Sequence, residues 1–414
     1  MLKKISTSDV TLGMYLQSLD GPWLSHPFWK TKFVLNDPED LATLKRSSVP
    51  TVWIDISKGR DLDDVPLTMD SPAVAAPIAD TPAAVAEPSR PPLAVPAARE
   101  TLEGEIERAT QVLNRSKQAV MALFSEARLG QTVNTDRCYP VVEDVACSLA
   151  RNPSAFVSLA RLKSRDDYTY MHSVAVCALM ISLSRQLGLS DEQTREAGMA
   201  GLLHDIGKMQ MPLEVLNKPG QLTDDEFSVM KTHPVHGFDL LKDSVRVPAA
   251  ALDVCLHHHE KVDGSGYPHR LVGDQISLLA RMGAICDVYD AITSSRPYRN
   301  AWDPAGSLQR MAQWKGHFDP TVFQAFLKCV GIYPTGTLVR LQSGRLAVVV
   351  DQSPSSLVKP RVKVFYSTKS GMPIPVQLLD LSSAGEKDAI VGREPPENWG
   401  FTHLEELWNP LAKG

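Results

Sequence analysis

His204-Asp205-Ile206-Gly207-Lys208 is the stretch from which the fold of this chain is read. A histidine directly followed by an aspartate presents a neutral nitrogen beside an anionic oxygen. That pair suits a divalent metal such as manganese, iron or zinc. Lys208 stands four residues after His204, so on a helix it shares a face with that histidine and reaches an anion held there. Taken alone, the pentapeptide reads equally well as a helix end with a capping aspartate and a glycine stop. Its surroundings decide between the two.

Eleven histidines occur in the chain, and all but His26 and His403 fall between His172 and His317. A solvated surface does not produce such clustering, and it happens among aspartates. His172 opens the series and His204-Asp205 follow. His233 stands in His-Pro-Val-His-Gly, and His257-His258-His259-Glu260 lead into Asp263-Gly264-Ser265-Gly266-Tyr267-Pro268. Asp287 and Asp290 lie about one helical turn apart, and Arg296 and Arg299 close the region.

The elements around these residues read as helices. Ile106, Val112, Leu113, Val120, Leu123 and Phe124 recur near a 3.6-residue period from Leu102 to about Ala127. More helix is expected over Val141 to Leu149 and Ala155 to Leu162, and another is expected to begin at His172. Ser190 with Gln193, and Thr223 with Glu226, have capping-box spacing ahead of His204 and His233. No strong strand pattern occurs between about 100 and 330, so this region reads as all-α.

At this point the ordered series resembles the HD-GYP subgroup of the HD phosphohydrolase superfamily. The residues that carry the resemblance are His172, His204-Asp205-Ile206-Gly207-Lys208, His233, His258-His259-Glu260, Asp263-Gly264-Ser265-Gly266-Tyr267-Pro268, Asp287 and Arg296. They span roughly 125 to 332, about half the chain. The resemblance implies a helical bundle with a two-metal site, iron or manganese. His172, His204, Asp205 and Asp287 would hold one ion, and Asp205 would bridge to a second held by His233, His258 and His259. Mixed imidazole and carboxylate ligation suits those metals, and a carboxylate has two oxygens with which to bridge.

The implied substrate is cyclic di-GMP, cut to linear pGpG and then to GMP by a hydroxide activated between the two metals. His204, Asp205 and Lys208 would carry the catalysis. Lys208, Arg296, Arg299, Gly264 and Tyr267 would contact the substrate, the arginines gripping phosphate oxygens two at a time. No separate general acid is evident, so a metal-bound water or Lys208 serves. The Gly264–Pro268 loop reads both as a tight turn and as an exposed loop that can meet a partner, and the resemblance implies that this partner is a GGDEF-type cyclase. Asp263 orients either histidine nitrogens or the loop itself. His257 is one residue outside the matched pair and reads as structural. His236 shares a helix face with His233, and His269 and His317 are non-ligands. The resemblance implies that a third metal is held by a glutamate one turn before the first histidine, and Tyr168 stands there instead. Asp167 points about 140° away on a regular helix, and Asp290 could contribute at most through a water.

Outward from this region, the organisation is multi-domain. Residues 1–60 read as a small α/β accessory unit: a strand at Phe33-Val34-Leu35, a helix capped by Asp37 with Pro38 first, and a strand over Val49–Ile56. Residues 61–98 are dense in proline and alanine and read as an extended linker. The helical phosphodiesterase domain covers 99–334. Residues 335–414 read as a β-rich extension packed on it, with strand-like runs at 338–341, 346–350 and 362–365.

Composition narrows the remaining classes. Lys+Arg 43 against Asp+Glu 48 gives a net −5, so no basic field draws the chain to nucleic acid. No apolar run has the length of a signal peptide or a membrane span, which makes the cytoplasm the default. The six cysteines form no Cys-x-x-Cys pair and read as buried free thiols. Two other functions share these motifs: an adaptor that binds cyclic di-GMP or a cyclase without turnover, and a hydrolase of linear pGpG. Oxygen chemistry on a related di-iron site is a further alternative.

Overall fold

Alternation of buried and outward side chains builds the N-terminal unit, Met1–Glu87. Strands β1 (Leu2–Ser6), β2 (Tyr15–Leu19), β3 (Phe33–Val34) and β4 (Thr51–Asp55) form an antiparallel sheet in the order β1-β4-β2-β3. Leu2 pairs with Asp55 and Ser6 with Thr51. Val52 and Ile54 of β4 point into a core with Ile5, Leu16 and Leu35, while Thr51 and Trp53 face outward. Helix α1 (Pro38–Arg46) adds Leu44 to that core. The β3, α1 and β4 segments are where the sequence puts them. β1 and β2 were not foreseen, because their apolar residues do not alternate regularly: Leu2 and Ile5 stand three apart, and Tyr15-Leu16 are adjacent with Leu19 three further on.

This computed structural model describes residues 2–19, 33–36, 38–46, 49–60, 93, 102–160, 168–218, 220–244, 246–294, 302–353, 355–401 and 403–409. His26, Asp37, Asp167, Arg296, Arg299 and all of the proline-rich stretch except Leu93 lie outside them.

The second unit, Pro88–Gly414, begins with α2 (Leu102–Arg128), α3 (Cys138–Arg151) and α4 (Pro153–Ala160). Helix α5 (Tyr168–Gln186) is apolar around its whole circumference and lies at the centre, as such a helix must. It begins a turn before His172, not at it. Packed on it are α2, α4, α6 (Asp191–Leu203), α11 (Leu278–Thr293) and α13 (Pro320–Val330). The short α7 (Leu213–Leu216) and α8 (Asp224–Met230), then α9 (His233–Lys242), α10 (Ala249–His257) and α12 (Pro304–Gln313), complete the helical layer. Both expected capping boxes are formed, Ser190 with Gln193 opening α6 and Thr223 with Glu226 opening α8. Leu93 is buried in this core, and its backbone N–H donates to Asp191 Oδ2 at 3.0 Å.

Two glycine contacts bring the future site together. A Cβ on Gly201 of α6 would stand 2.9 Å from the Cys177 backbone, so α6 lies directly against α5. A Cβ on Gly207 would stand 1.9 Å from the His233 carbonyl oxygen, so the turn after α6 lies directly against α9.

Strands β5 (Leu338–Leu341), β6 (Arg345–Ser353), β7 (Ser356–Ser367), β8 (Met372–Asp380) and β9 (Ile390–Arg393) make an antiparallel sheet in the order β8-β7-β6-β5-β9. Leu338, Leu346, Val348 and Val350 on one face join the helical core, with Trp408 of α14 (Glu405–Trp408). Val339, Leu341, Val349 and Val362 on the other face form a small core of their own. The tail therefore packs on the helices through one face of its sheet. All six cysteines are free, with Cys147 and Cys329 partly exposed and the rest buried. Among the described residues no helix is long and apolar enough to cross a membrane.

Candidate metal centre

Five helix ends and faces converge on one buried volume. α5 carries His172 and α11 carries Asp287 and Asp290. α6 stops at Leu203 and hands over His204 and Asp205; α9 opens with His233; α10 stops at His257 and delivers His258 and His259. Asp205 leaves helical geometry at φ −103°, ψ 7°, and the chain winds into a 3-10 turn, Ile206–Gln210. Lys208 therefore does not share a helix with His204, as the spacing suggested. The turn carries its side chain back instead, and Nζ donates to Asp205 Oδ2 at 2.5 Å.

The imidazoles are aimed by what their outer nitrogens touch. Nδ1 of His204 donates to the Gly201 carbonyl at 2.8 Å, Nδ1 of His233 to Met230 at 2.8 Å, and Nδ1 of His258 to Val254 at 3.0 Å. A carbonyl can only accept, so each proton sits on Nδ1 and each Nε2 lone pair faces inward. Nδ1 of His172 is 2.6 Å from Asp290 Oδ2, which orients that ring in the same way.

The two oxygens of Asp205 face different partners. Oδ2 is 3.4 Å from His172 Nε2 and 3.3 Å from His204 Nε2, while Oδ1 is 3.3 Å from His233 Nε2 and 3.8 Å from His258 Nε2. Asp287 Oδ1 is 3.0 Å from His172 Nε2, and its Oδ2 is 3.8 Å from His259 Nδ1. Three ligand sets fall within 4.8 Å: His172, His204 and Asp287; His204, Asp205 and His258; His233, His258 and His259. His204 Nε2 and Asp205 Oδ1 are fully buried with no hydrogen-bond partner among the described residues. Buried acceptors without donors are costly, and a cation between them removes that cost. The donor set fits divalent metals.

The electrostatics follow from this crowding. Burial opposes charge on His172, yet hydrogen bonds to Asp205, Asp287 and Asp290 hold its pKa up to about 10. Burial pushes His258 down to about 3, helped by His204 and His233, and lowers His259 in the same way. Burial also opposes the charge on Asp205 and Asp287, but Lys208 and His204 beside the first, and His172 beside the second, keep both ionised.

The glycine-rich loop lies beside the centre. The Tyr267 ring packs on His259 with centroids 4.8 Å apart and an interplanar angle of 31°. Gly264 sits at φ +79°, and a Cβ on Gly266 would stand 2.5 Å from Glu260 Cα, so both positions require glycine. Of the two readings of Asp263, the structure shows the loop one: its Oδ1 accepts the Ser265 N–H at 2.9 Å.

Two residues carry more than the sequence indicated. Glu260, read only as a point of alignment, is buried and accepts the backbone N–H groups of His269 (2.6 Å) and Leu271 (3.1 Å). No sequence signal identified it. Asp290, considered in the sequence only as help through a water to a third metal, bonds His172 directly, a role the sequence reading did not assign it. His236 is exposed on the outer side of α9. His257 pairs with Asp253 and His269, and His317 stacks near Trp314 and Phe318, its pKa pushed down to about 4 by burial.

Comparison with known proteins adds the family context. The family described as HD domain matches residues 145–322, and a domain of unknown function (DUF3391) matches residues 2–138. A cyclic di-GMP phosphodiesterase of Pseudomonas aeruginosa is 54% identical over 418 residues, covering 100% of this chain and 97% of that protein. A cyclic di-GMP phosphodiesterase response regulator of Xanthomonas campestris pv. campestris is 47% identical over 149 residues, 35% of this chain and 39% of the other. A 3'3'-cGAMP-specific phosphodiesterase of Vibrio cholerae is 36% identical over 169 residues, 40% of this chain and 32% of the other.

Proposed function

This chain belongs to the HD-GYP family of cyclic di-GMP phosphodiesterases, and from that premise we propose how its own residues divide the work. It is a metal-dependent phosphodiesterase that hydrolyses cyclic di-GMP. Two divalent cations, iron or manganese, would be held by His172, His204, Asp205 and Asp287 and by Asp205, His233, His258 and His259. The observation that carries this reading is the split of Asp205, one oxygen toward each histidine set. A donor set of imidazole and carboxylate supports a divalent first-row metal, with iron or manganese following from the family resemblance.

When bound, the cations polarise the scissile phosphodiester and supply a nucleophile at neutral pH. The chain does the rest. The carbonyls of Gly201, Met230 and Val254 lock the inward lone pairs. Asp290 aims His172, and Glu260 holds the loop that sets Tyr267 against His259. Lys208, beside Asp205 Oδ2, carries its charge to the phosphate and gives a proton to the leaving 3′ oxygen as the P–O bond breaks. Arg296 and Arg299 take the non-bridging phosphate oxygens. Gly264 lets the loop backbone approach the substrate, and the same loop offers a face to a GGDEF-type cyclase.

The deciding experiment is turnover by iron- or manganese-loaded protein under reducing conditions, with cyclic di-GMP, 3'3'-cGAMP and pGpG compared at equal concentration. Cyclic di-GMP is expected to give pGpG first and GMP later. Binding of cyclic di-GMP without any product would return the chain to the adaptor reading.

A further inference from the structure

Resting on this phosphodiesterase reading, we propose that His257 and His269 form a clasp that positions Tyr267 at the metal centre and thereby sets how tightly substrate is held. His257 belongs to a run of three histidines, but its ring turns away from the other two. Its Nδ1 is 2.7 Å from Asp253 Oδ1, one helical turn back on α10. A carboxylate only accepts, so Nδ1 carries the proton, and Nε2 accepts from Nδ1 of His269 at 3.0 Å. The other oxygen of Asp253 takes the hydroxyl of Ser277. Ser277 is the N-cap of α11, its Oγ accepting the Ala280 N–H at 3.1 Å. One unbroken run of hydrogen bonds thus joins the start of α11, the end of α10 and the returning limb of the glycine-rich loop.

The same limb is held from its other side. Glu260 accepts the His269 and Leu271 N–H groups at 2.6 and 3.1 Å. Tyr267, two residues before His269, donates its backbone N–H to the His259 carbonyl at 3.2 Å and lays its ring on that imidazole. Whatever fixes residue 269 therefore fixes residue 267. Neither His257 nor His269 falls in any of the three ligand sets, so the clasp acts on the loop and not on the metals. His269 is an exposed residue, and its imidazole needs no partner for burial, which leaves positioning as the reason for the pair.

The test uses the full chain loaded with manganese, in three variants: His257→Ala, His269→Ala and the double substitution. Each single variant is expected to raise KM for cyclic di-GMP about tenfold, the loss of one positioned hydrogen bond. The kcat should stay within about twofold, metal content should not change, and the double variant should be no worse than either single one. His269→Ala carries the decision if His257→Ala disturbs its neighbour His258, because residue 269 is exposed and remote from the ligands in sequence. An unchanged KM in His269→Ala, or a kcat that falls in step with metal content, overturns the clasp. Wild-type protein that fails to turn over cyclic di-GMP overturns the parent reading instead, so the two failures are told apart.

Discussion

Asp290 Oδ2 lies 2.6 Å from Nδ1 of His172, so a carboxylate outside the proposed ligand set aims the first histidine of the centre. The pair joins α11 to α5, and both side chains are buried. Asp290→Asn keeps the shape but weakens the acceptor and the basicity it lends the ring. Metal affinity should fall about 10–100-fold, as is usual when such a partner is removed. Titration of chelator-stripped protein with manganese measures it, and an unchanged affinity would remove Asp290 from the orienting role.

Asp205 is expected to be the residue whose loss is most severe. Its two oxygens face two histidine sets, so Asp205→Ala should release both cations and abolish hydrolysis. His204→Ala removes a donor from one side only and should be nearly as damaging. An Asp205→Ala protein that retains two metals per chain in elemental analysis contradicts the bridge.

Metal count follows from what stands before His172. Tyr168 lies one turn earlier, its ring stacked along that of His172 with centroids 6.0 Å apart and an interplanar angle of 11°. A neutral phenol there gives a third cation no anionic anchor. Protein purified without oxygen should contain two metals per chain, and a structure at the iron edge should show two peaks. Three well-occupied protein-bound ions would refute this.

Glu105 supplies a stability prediction away from the chemistry. It is fully buried on α2 and bonds Arg151 twice, at 2.7 and 2.8 Å, with Ser148 at 2.8 Å and Arg108 at 3.0 Å. Burial raises its pKa, but these bonds outweigh burial and hold it below the ordinary 4.5. A lowered carboxylate stabilises fully above 4.5, and that contribution is lost as pH falls through the folded value. Glu105→Ala removes the acceptor of Arg151, Arg108 and Ser148 and should cost about 2 kcal/mol at pH 7, since the arginines left behind are partly exposed. The variant's unfolding midpoint should converge toward wild type as pH drops below 4.5. A constant gap down to pH 3 in denaturant titrations would show that the carboxylate's charge contributes nothing.

Much of this was legible beforehand. The 3.6-residue periodicity of α2, the two capping boxes and the strand-like runs of the C-terminal sheet are local patterns, set by residues close in sequence. The order of histidines and aspartates from His172 to Asp287 was likewise readable, because metal chemistry restricts residue types. The β1 and β2 strands were not, since Leu2–Ser6 and Tyr15–Leu19 gain their identity by pairing with strands distant in the chain, β1 with β4 and β2 with β4 and β3.

By itself the sequence determined which histidines and aspartates could gather at a metal centre and that the region around them is helical. Tertiary structure alone decided how they are aimed. Lys208 turns to Asp205 because the backbone leaves the helix at residue 205, a change of φ and ψ that no spacing rule anticipates. Glu260 takes the loop's N–H groups, and His257 turns outward while His258 and His259 turn in. Such choices depend on where the partner groups of other helices come to lie. Those positions follow from close approaches such as Gly207 against His233, made between residues distant in the chain. Residue identity is local information, whereas the direction of a lone pair is settled by neighbours that only packing brings together.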